Sequence, residues 1–481
     1  MTTINSTEKR LAQEVLENIR AVDRQAVQDK LANELVDLNK KIIVLDDDPT
    51  GVQTVHGISV YTDWSIESIE KGFEEENSMF FLLTNSRGFT AAETEKAHTE
   101  IAANIVEVAK KQNKDFIVIS RGDSTLRGHY PLETEVLKDT IEKASDIRFD
   151  GEVILPFFKE GGRFTVDNIH YVQYEEYLVP AGETEFAKDR TFGYTKSQLG
   201  DWVEEKTEGK FTAENATYIT LESLRALDIE GITNQLLQVR DFNKVIVNAV
   251  DYVDVEIFVL ALVKAMKSGK QFMFRSAAAL TKVIGGVSDK ALLTREELIQ
   301  EETKHGGLIL VGSHVKKTTE QLEVLKTSDF IEFIEFDCHL VLHPDKFQTE
   351  IDRVIETTEN LIREGKTVTV YTRRERLDLG EGKKEEELKL SVKISDAVTS
   401  IVQRLSVRPN YIVAKGGITS SDIGTKGLEV KRATVAGQIK PGIPVWFTGE
   451  ESKFPGIAYI IFPGNVGAVT TLKETVEILT K

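Results

Sequence analysis

"KIIVLDDDPTG", residues 41–51, joins an apolar run, Ile42 to Leu45, to three consecutive aspartates, a proline, a threonine and a glycine. The apolar run reads as a buried strand and the acidic stretch as the turn that ends it. Three carboxylates side by side repel one another. Their place at a strand tip, where the turn aims them at a common point, calls for a function.

The same rhythm recurs along the chain. Short apolar runs at 79–83 "MFFLL", 116–119, 152–155, 244–247 and 271–274 read as strands, and helical patterns at 91–111 and 131–144 lie between them. This is the βαβ alternation of a mostly parallel sheet with helices on its faces. A second set runs through 306–314, 331–336, 366–372, 410–417, 444–449 and 457–465. The expected fold is therefore α/β: two α/β domains with mostly parallel sheets, preceded by an N-terminal helical arm. The arm is read at 7–40, where apolar residues from Leu11 to Leu38 keep helical spacing without glycine or proline, and packing or a dimer contact is its expected role. The expected boundaries are 1–40 for the arm, 41–295 for the first domain and 296–481 for the second. Residues 281–305 read as a polar, helical junction, and the charged run 373–390 as an exposed loop and helix start.

Composition narrows the partners. A chain of 481 residues exceeds what one core usually serves. Its net charge of −18 argues against nucleic acid or an anionic membrane as main partner, though not against a small anion gripped by local arginines. With one cysteine, Cys338, neither an internal disulfide nor a CxxC metal site is possible. Cys338, His339 and His343 read as core and surface residues rather than zinc ligands. No apolar leader or membrane-length run is visible, so the cytoplasm is the expected compartment.

Open α/β sheets bind ligands outside the carboxyl ends of their strands. Three such ends in the first half combine carboxylates, hydroxyls, arginines and glycines: 46–51, "TNSRG" (84–88) and "SRGDSTLRGH" (120–129). Arg87 and Arg121 could grip an anionic, hydroxylated small molecule while aspartates accept its hydroxyl hydrogens. In the second half, "VGSHVKKTTEQL" (311–322), "KGGITSSDIG" (415–424) and "FPGNVG" (462–467) offer close backbone approach and N–H donors for phosphates. Gly464, Asn465 and Gly467 join the candidate nucleotide residues on this ground. None of these matches the P-loop pattern.

Asp46-x-Asp48-x-Thr50 also fits the DxDxT signature of haloacid dehalogenase-type phosphotransferases, with Asp46 as covalent nucleophile and Asp48 as acid/base. That reading leaves the glycine-rich second half unexplained.

Taken in order, DDxTG, NSR, RGDSTLRGH, "PFFKEGGRFTVDNIHYV" (156–172), "ETEFAKD" (183–189), "FMFRSAAA" (272–279), GS…TxxQL (312–322), GGITSSD (416–422), "PGIPVW" (441–446) and PGNVG (463–467) resemble the four-carbon acid sugar kinase family. Its members include threonate, erythronate and 3-oxo-tetronate kinases. The resemblance implies a substrate-binding domain, an ATP-binding domain, and transfer of the γ-phosphate to a sugar-acid hydroxyl with Mg2+ as companion of ATP. It puts Asp47, Arg87 and the stretch Arg121, Gly122, Asp123, Ser124 and Thr125 on substrate positions. Ser313, Gly416, Gly417, Ile418, Thr419 and Gly442 fall on nucleotide positions. Many members have Ala-Asp-Asp-Phe-Thr-Gly where this chain has Asp46 and Pro49, which bears on the substrate more than on the reaction.

Within that reading Asp47 or Asp48 binds the acceptor hydroxyls or the metal, and Asp123 is equally a candidate base. Arg87 is expected to hold the substrate carboxylate, with Arg163 and Arg275 as helpers. His129 stands beside Arg127 in a family motif and is a weaker candidate. A homodimer is the expected assembly. A non-catalytic sensor of sugar acid and nucleotide would keep the gripping residues and lose an essential carboxylate, whereas Asp47, Asp48 and Asp123 are all present.

Overall fold

A computed structural model describes residues 8–301, 303–375, 377 and 384–481. The chain divides into two compact units, Met1–Val55 with Asp63–Asp289, and His56–Thr62 with Lys290–Lys481.

In the first unit seven strands lie in the order Thr217–Ile219, Asn243–Val247, Gly151–Leu155, Phe272–Ser276, Phe116–Arg121, Lys41–Asp46 and Met79–Leu83, every neighbouring pair parallel. The central strands are buried along their whole length, as continuous apolar runs require when helices cover both faces of a sheet. Parallel register fixes where the strand ends fall. Asp46 pairs with Leu83 on one side and Arg121 on the other, and Arg121 pairs with Ser276. The polar turns that follow these strands therefore emerge along one edge.

A small antiparallel sheet, Arg10–Leu11, Tyr177–Pro180, Ile169–Tyr174 and Arg163–Val166, belongs to the same unit. Its hairpin turns at Asp167 and Asn168, both with positive φ, a conformation that aspartate and asparagine tolerate better than most residues.

The expected helical arm is corrected here. Arg10–Leu11 is a strand, helices cover only Ala12–Leu16 and Arg24–Val36, and residues 1–7 lie outside the described residues. Arg10 and Leu11 find a backbone partner in Tyr177 and Leu178, and the Asp23 side chain caps a fresh helix start by accepting from the Ala26 N–H. The second helix packs on Tyr252–Lys267, where Arg24 takes the buried Glu256 carboxylate through Nε and Nη2.

In the second unit the order is Ser59–Tyr61, Arg432–Lys440, Ile443–Thr448, Ala458–Phe462, Tyr411–Lys415, Leu308–Val311, Thr367–Thr372 and Ile331–Phe336. The first three junctions are antiparallel and the remaining four parallel. The junction 281–305 is less helical than its composition suggests. A helix ends at Ile284 and, among the described residues of the rest of this stretch, Arg295–Leu298 alone is helical, with Leu293 N–H instead joining Gln438 O. Within the charged run 373–390, residues 376 and 378–383 lie outside the described residues, and a helix runs Lys384–Arg404.

One buried ion pair lies inside the first sheet. Lys244 and Glu152 are register partners on neighbouring strands, with Nζ 2.6 Å from Oε2 and the rings of Phe211 and Phe242 flanking the ammonium. Removing one partner of such a pair strands the other charge and costs about 3–5 kcal/mol. Lys244→Met should lower the first unit's urea midpoint accordingly, and adding Glu152→Leu should recover most of the loss.

Candidate active site

The three aspartates of the opening stretch are each met by arginine. Asp46 lies 3.2 Å from Arg121 Nη1. Arg87 forks onto Asp47, Nη2 to Oδ1 at 2.6 Å and Nε to Oδ2 at 3.1 Å, and reaches Asp48 Oδ2 through Nη1 at 3.3 Å. Arg121 also stands 3.6 Å from Asp47. Asp48 accepts from the Thr50 N–H with its other oxygen, which fixes the turn.

The 120s loop brings a second set. Asp123 accepts from Arg127 Nε at 2.8 Å and from the Thr125 hydroxyl, and Arg127 Nη1 lies 3.8 Å from Asp189. Arg275 donates to the Arg127 carbonyl and stands 3.4 Å from Glu133. Gly122 is required by this arrangement, because a Cβ there would sit 1.6 Å from Arg275 Nη1. Ser124 offers its carbonyl to His170 Nε2, and the Tyr194 hydroxyl donates to the Thr125 carbonyl. Arg163 begins the small antiparallel sheet, and the Phe186 ring lies beneath both its guanidinium and that of Arg127. His129 Nε2 bonds the Phe89 carbonyl and tilts edge-on to Phe192, a bracing role between two loops.

The carboxylates do not share one electrostatic fate. Burial pushes Asp46 up to about 8 against the pull of Arg121. Burial also raises Asp47, with Arg87 opposing it. For Asp123 burial works upward too, but Arg127, Arg87 and the Thr125 hydroxyl outweigh it and hold the group well below the usual carboxylate range. A carboxylate held that low is a weak proton acceptor.

In the second unit, the ends of the strands Leu308–Val311, Thr367–Thr372 and Tyr411–Lys415 border a cavity of about 340 Å³ lined by Gly312, Ser313, Thr372 and Gly416 to Thr419 together with the helix Lys384–Arg404. Gly416 has φ near +120°, and a Cβ on it would lie 2.9 Å from that of Ser313. A side chain there is excluded twice, by backbone and by space. Ile418 presents an apolar side chain that is 75% exposed. Gly464 approaches Ser313 Oγ, whereas Asn465 is exposed in the same turn and Gly467 sits against Thr471. Gly442 lies in the turn between Arg432–Lys440 and Ile443–Thr448 and is not among the residues lining the cavity.

Two basic residues beside the lining of this cavity escaped the sequence reading. Arg374 follows the strand Thr367–Thr372 and donates to the Ser313 carbonyl and the Thr319 hydroxyl. Lys415 is fully buried just before Gly416 and donates to the Pro463 and Gly464 carbonyls. Among the described residues neither has a carboxylate within ion-pair distance. Burial pushes Lys415 down to about 6, with Lys317 of the neighbouring helix adding to the shift. The "TRR" at a strand end and the lysine before Gly-Gly were the available signals. In the first unit, Glu133, Arg127 and Asp189 were likewise missed as partners although two of them stand inside quoted motifs.

The larger cavities of the first unit, about 640 and 680 Å³, run along the helix Arg24–Val36 and beside the amino end of Lys41–Asp46. No residue of the Asp47 cluster lines either, so size does not mark the chemistry here. Cys338 is buried, and among the described residues no three His, Cys, Asp or Glu side chains are grouped to hold a metal ion. No described helix is long and apolar enough to cross a membrane.

The fold and these strand-end clusters define a two-part α/β protein, and comparison gives each part a description. Residues 42–284 match the sugar-binding N-terminal domain family and residues 308–472 the nucleotide-binding C-terminal domain family. The chain belongs to the four-carbon acid sugar kinase family. Solved structures share the fold. HI1011 of Haemophilus influenzae is 17% identical with a TM-score of 0.59, covering 91% of this chain and 100% of its own. A Salmonella typhimurium LT2 protein described provisionally as a tRNA synthase is 14% identical with a TM-score of 0.64, over 92% and 99%. At these identities the likeness concerns the fold. No curated protein matches the chain.

Gly416→Ala should weaken nucleotide binding while leaving sugar binding intact, as calorimetry with each class of ligand will show; equal loss of both would contradict separate sites. A second expectation concerns pH. Between about 6 and its ordinary 10.5 the unfolded chain carries a proton on Lys415 that the folded chain lacks, so this residue makes stability rise with pH across that window. Lys415→Met should flatten the slope in urea melts taken from about pH 6 to about pH 9.

Proposed function

We propose that this chain is an ATP-dependent kinase that phosphorylates a hydroxyl of a four-carbon acid sugar of the threonate, erythronate or 3-oxo-tetronate type. The observation that carries the reading is the presence, in a member of this family, of two strand-end sites of different chemistry: a carboxylate and arginine cluster in one unit and a glycine-lined cavity bordered by Arg374 and Lys415 in the other. The acceptor is assigned to residues 41–295 and ATP to 296–481.

In this reading Gly416, Gly417 and Ser313 approach the phosphates, Ile418 offers an apolar surface to the base, and Arg374 supplies positive charge from behind. Asp47 is the proposed proton acceptor. It is raised by burial, as a base working near neutrality needs to be, and Arg87 holds it in one orientation. Asp123, held low, anchors Arg127 instead.

Magnesium fits as a companion of ATP rather than as a resident ion. It takes most ligands from phosphate oxygens and water and needs only one or two carboxylates. Asp48 meets arginine in one contact of 3.3 Å, so it is freer than Asp47 to turn toward such an ion. When bound, the metal neutralises charge on the transferring phosphates.

The rival phosphotransferase reading makes Asp46 the nucleophile. Asp46 is buried, paired with Arg121 and packed against Gly51, whose Cβ position would fall 2.0 Å from the carboxylate oxygens. Nothing in that environment gives a phosphoryl group access. With γ-labelled ATP and a four-carbon acid sugar, Asp47→Asn should lose at least ~100-fold in kcat, Asp46→Asn much less, and the intact chain should carry no label. A phosphoenzyme that disappears in Asp46→Asn would overturn the assignment.

A further inference from the structure

Five arginines converge on the candidate acceptor site, and four have their charge matched. Arg87 is met by Asp47 and Asp48, Arg121 by Asp46 and Asp47, Arg127 by Asp123 and Asp189, and Arg275 by Glu133. Arg163 is the exception. Among the described residues its guanidinium makes no ion pair or hydrogen bond, and its Nε is shut off from solvent without a partner. The guanidinium does lie over the Phe186 ring, 5.7 Å away, which it shares with Arg127.

The acids nearest Arg163 are engaged elsewhere. Asp123 is taken by Arg127 and Thr125, and Glu185 accepts from the Tyr174 hydroxyl. A largely buried guanidinium whose charge no acid meets is costly and rare, and in a binding site its unpaired terminal nitrogens mark where a ligand anion belongs. Phe186 beneath the plane holds the fork flat, and Gly161, whose Cβ position lies 3.1 Å from Arg163 Nη1, leaves the guanidinium uncrowded on that side. The sequence reading gives the substrate carboxylate to Arg87. That fork already carries two carboxylates, so a third would meet little net attraction.

We infer that Arg163 is the receptor for the carboxylate of the acceptor, taken through its terminal Nη atoms, and that it sets the preference for an acid sugar over the uncharged polyol. The inference rests on the kinase reading and deepens it by naming the group that reads the acid. Arg87 then serves as the positioning residue for Asp47.

Calorimetry without turnover separates the two levels. Erythronate, threonate, erythritol and ATP are titrated into wild type, Arg163→Gln and Arg163→Lys. The wild-type chain should prefer one of the acids to erythritol, and Arg163→Gln should bind that acid at least ~30-fold more weakly with erythritol and ATP binding unchanged. Arg163→Lys, which keeps the charge and loses the fork, should fall between the two. If Arg163→Gln fails to fold, as lost erythritol binding would reveal, Arg163→Lys decides alone. Acid binding equal to wild type in a variant that still binds ATP would overturn the inference, as would a wild-type chain that binds neither acid. A chain that behaves as expected here but transfers no phosphate would overturn the kinase reading and leave the carboxylate receptor standing.

Discussion

Arginine at the carboxyl edge of the first sheet is the condition on which the site depends. Asp46, Asp47 and Asp48 are consecutive, the first two fully buried, and their mutual repulsion would be prohibitive without Arg87 and Arg121 among them. The parallel register supplies that proximity. Because Asp46 is flanked by Leu83 and Arg121, Arg121 comes directly alongside the aspartates and Arg87 arrives four residues past its own strand end. The same logic orders the second unit, where Val311 pairs with Lys415 and Tyr371, and Lys415 with Phe462.

Within that web the chemistry is divided by surroundings rather than by residue type. Asp46 and Asp47 are buried and Asp123 nearly so, all with arginine neighbours, yet burial prevails at the first two and the cations prevail at the third. Arg163, with no acidic partner among the described residues, is the complement of this saturated network. Arg163 in the first unit and Arg374 at the glycine-lined cavity, each without an acidic partner among the described residues, show where a chain of net charge −18 can still offer a cation to an anion.

The strands were legible because they are buried on both faces. Ile42 to Leu45, Met79 to Leu83 and Tyr411 to Ala414 are unbroken apolar runs, and the turns after them announced themselves by Asp, Arg and Gly. Arg432–Lys440 was not legible. It alternates exposed and buried residues, and register shifts interrupt its pairing near Gly437 and between Gln438 and Lys440. Arg10 and Leu11 carry no strand signal of their own and are strand only because Tyr177 and Leu178 receive them. The site residues were visible as types, but their partners were not. Asp47 meets Arg87 across 40 residues and Glu133 meets Arg275 across 142, so which arginine stays unmatched is decided by tertiary structure alone.

The central claim is that the first unit presents an acid sugar's hydroxyl and the second presents ATP. Its most direct test is an initial-rate study with γ-labelled ATP, magnesium and a panel of four-carbon acid sugars. The account predicts label on the sugar acid, with intersecting double-reciprocal plots that mark a ternary complex. Label released only as free phosphate, or parallel plots with a labelled protein, would contradict it.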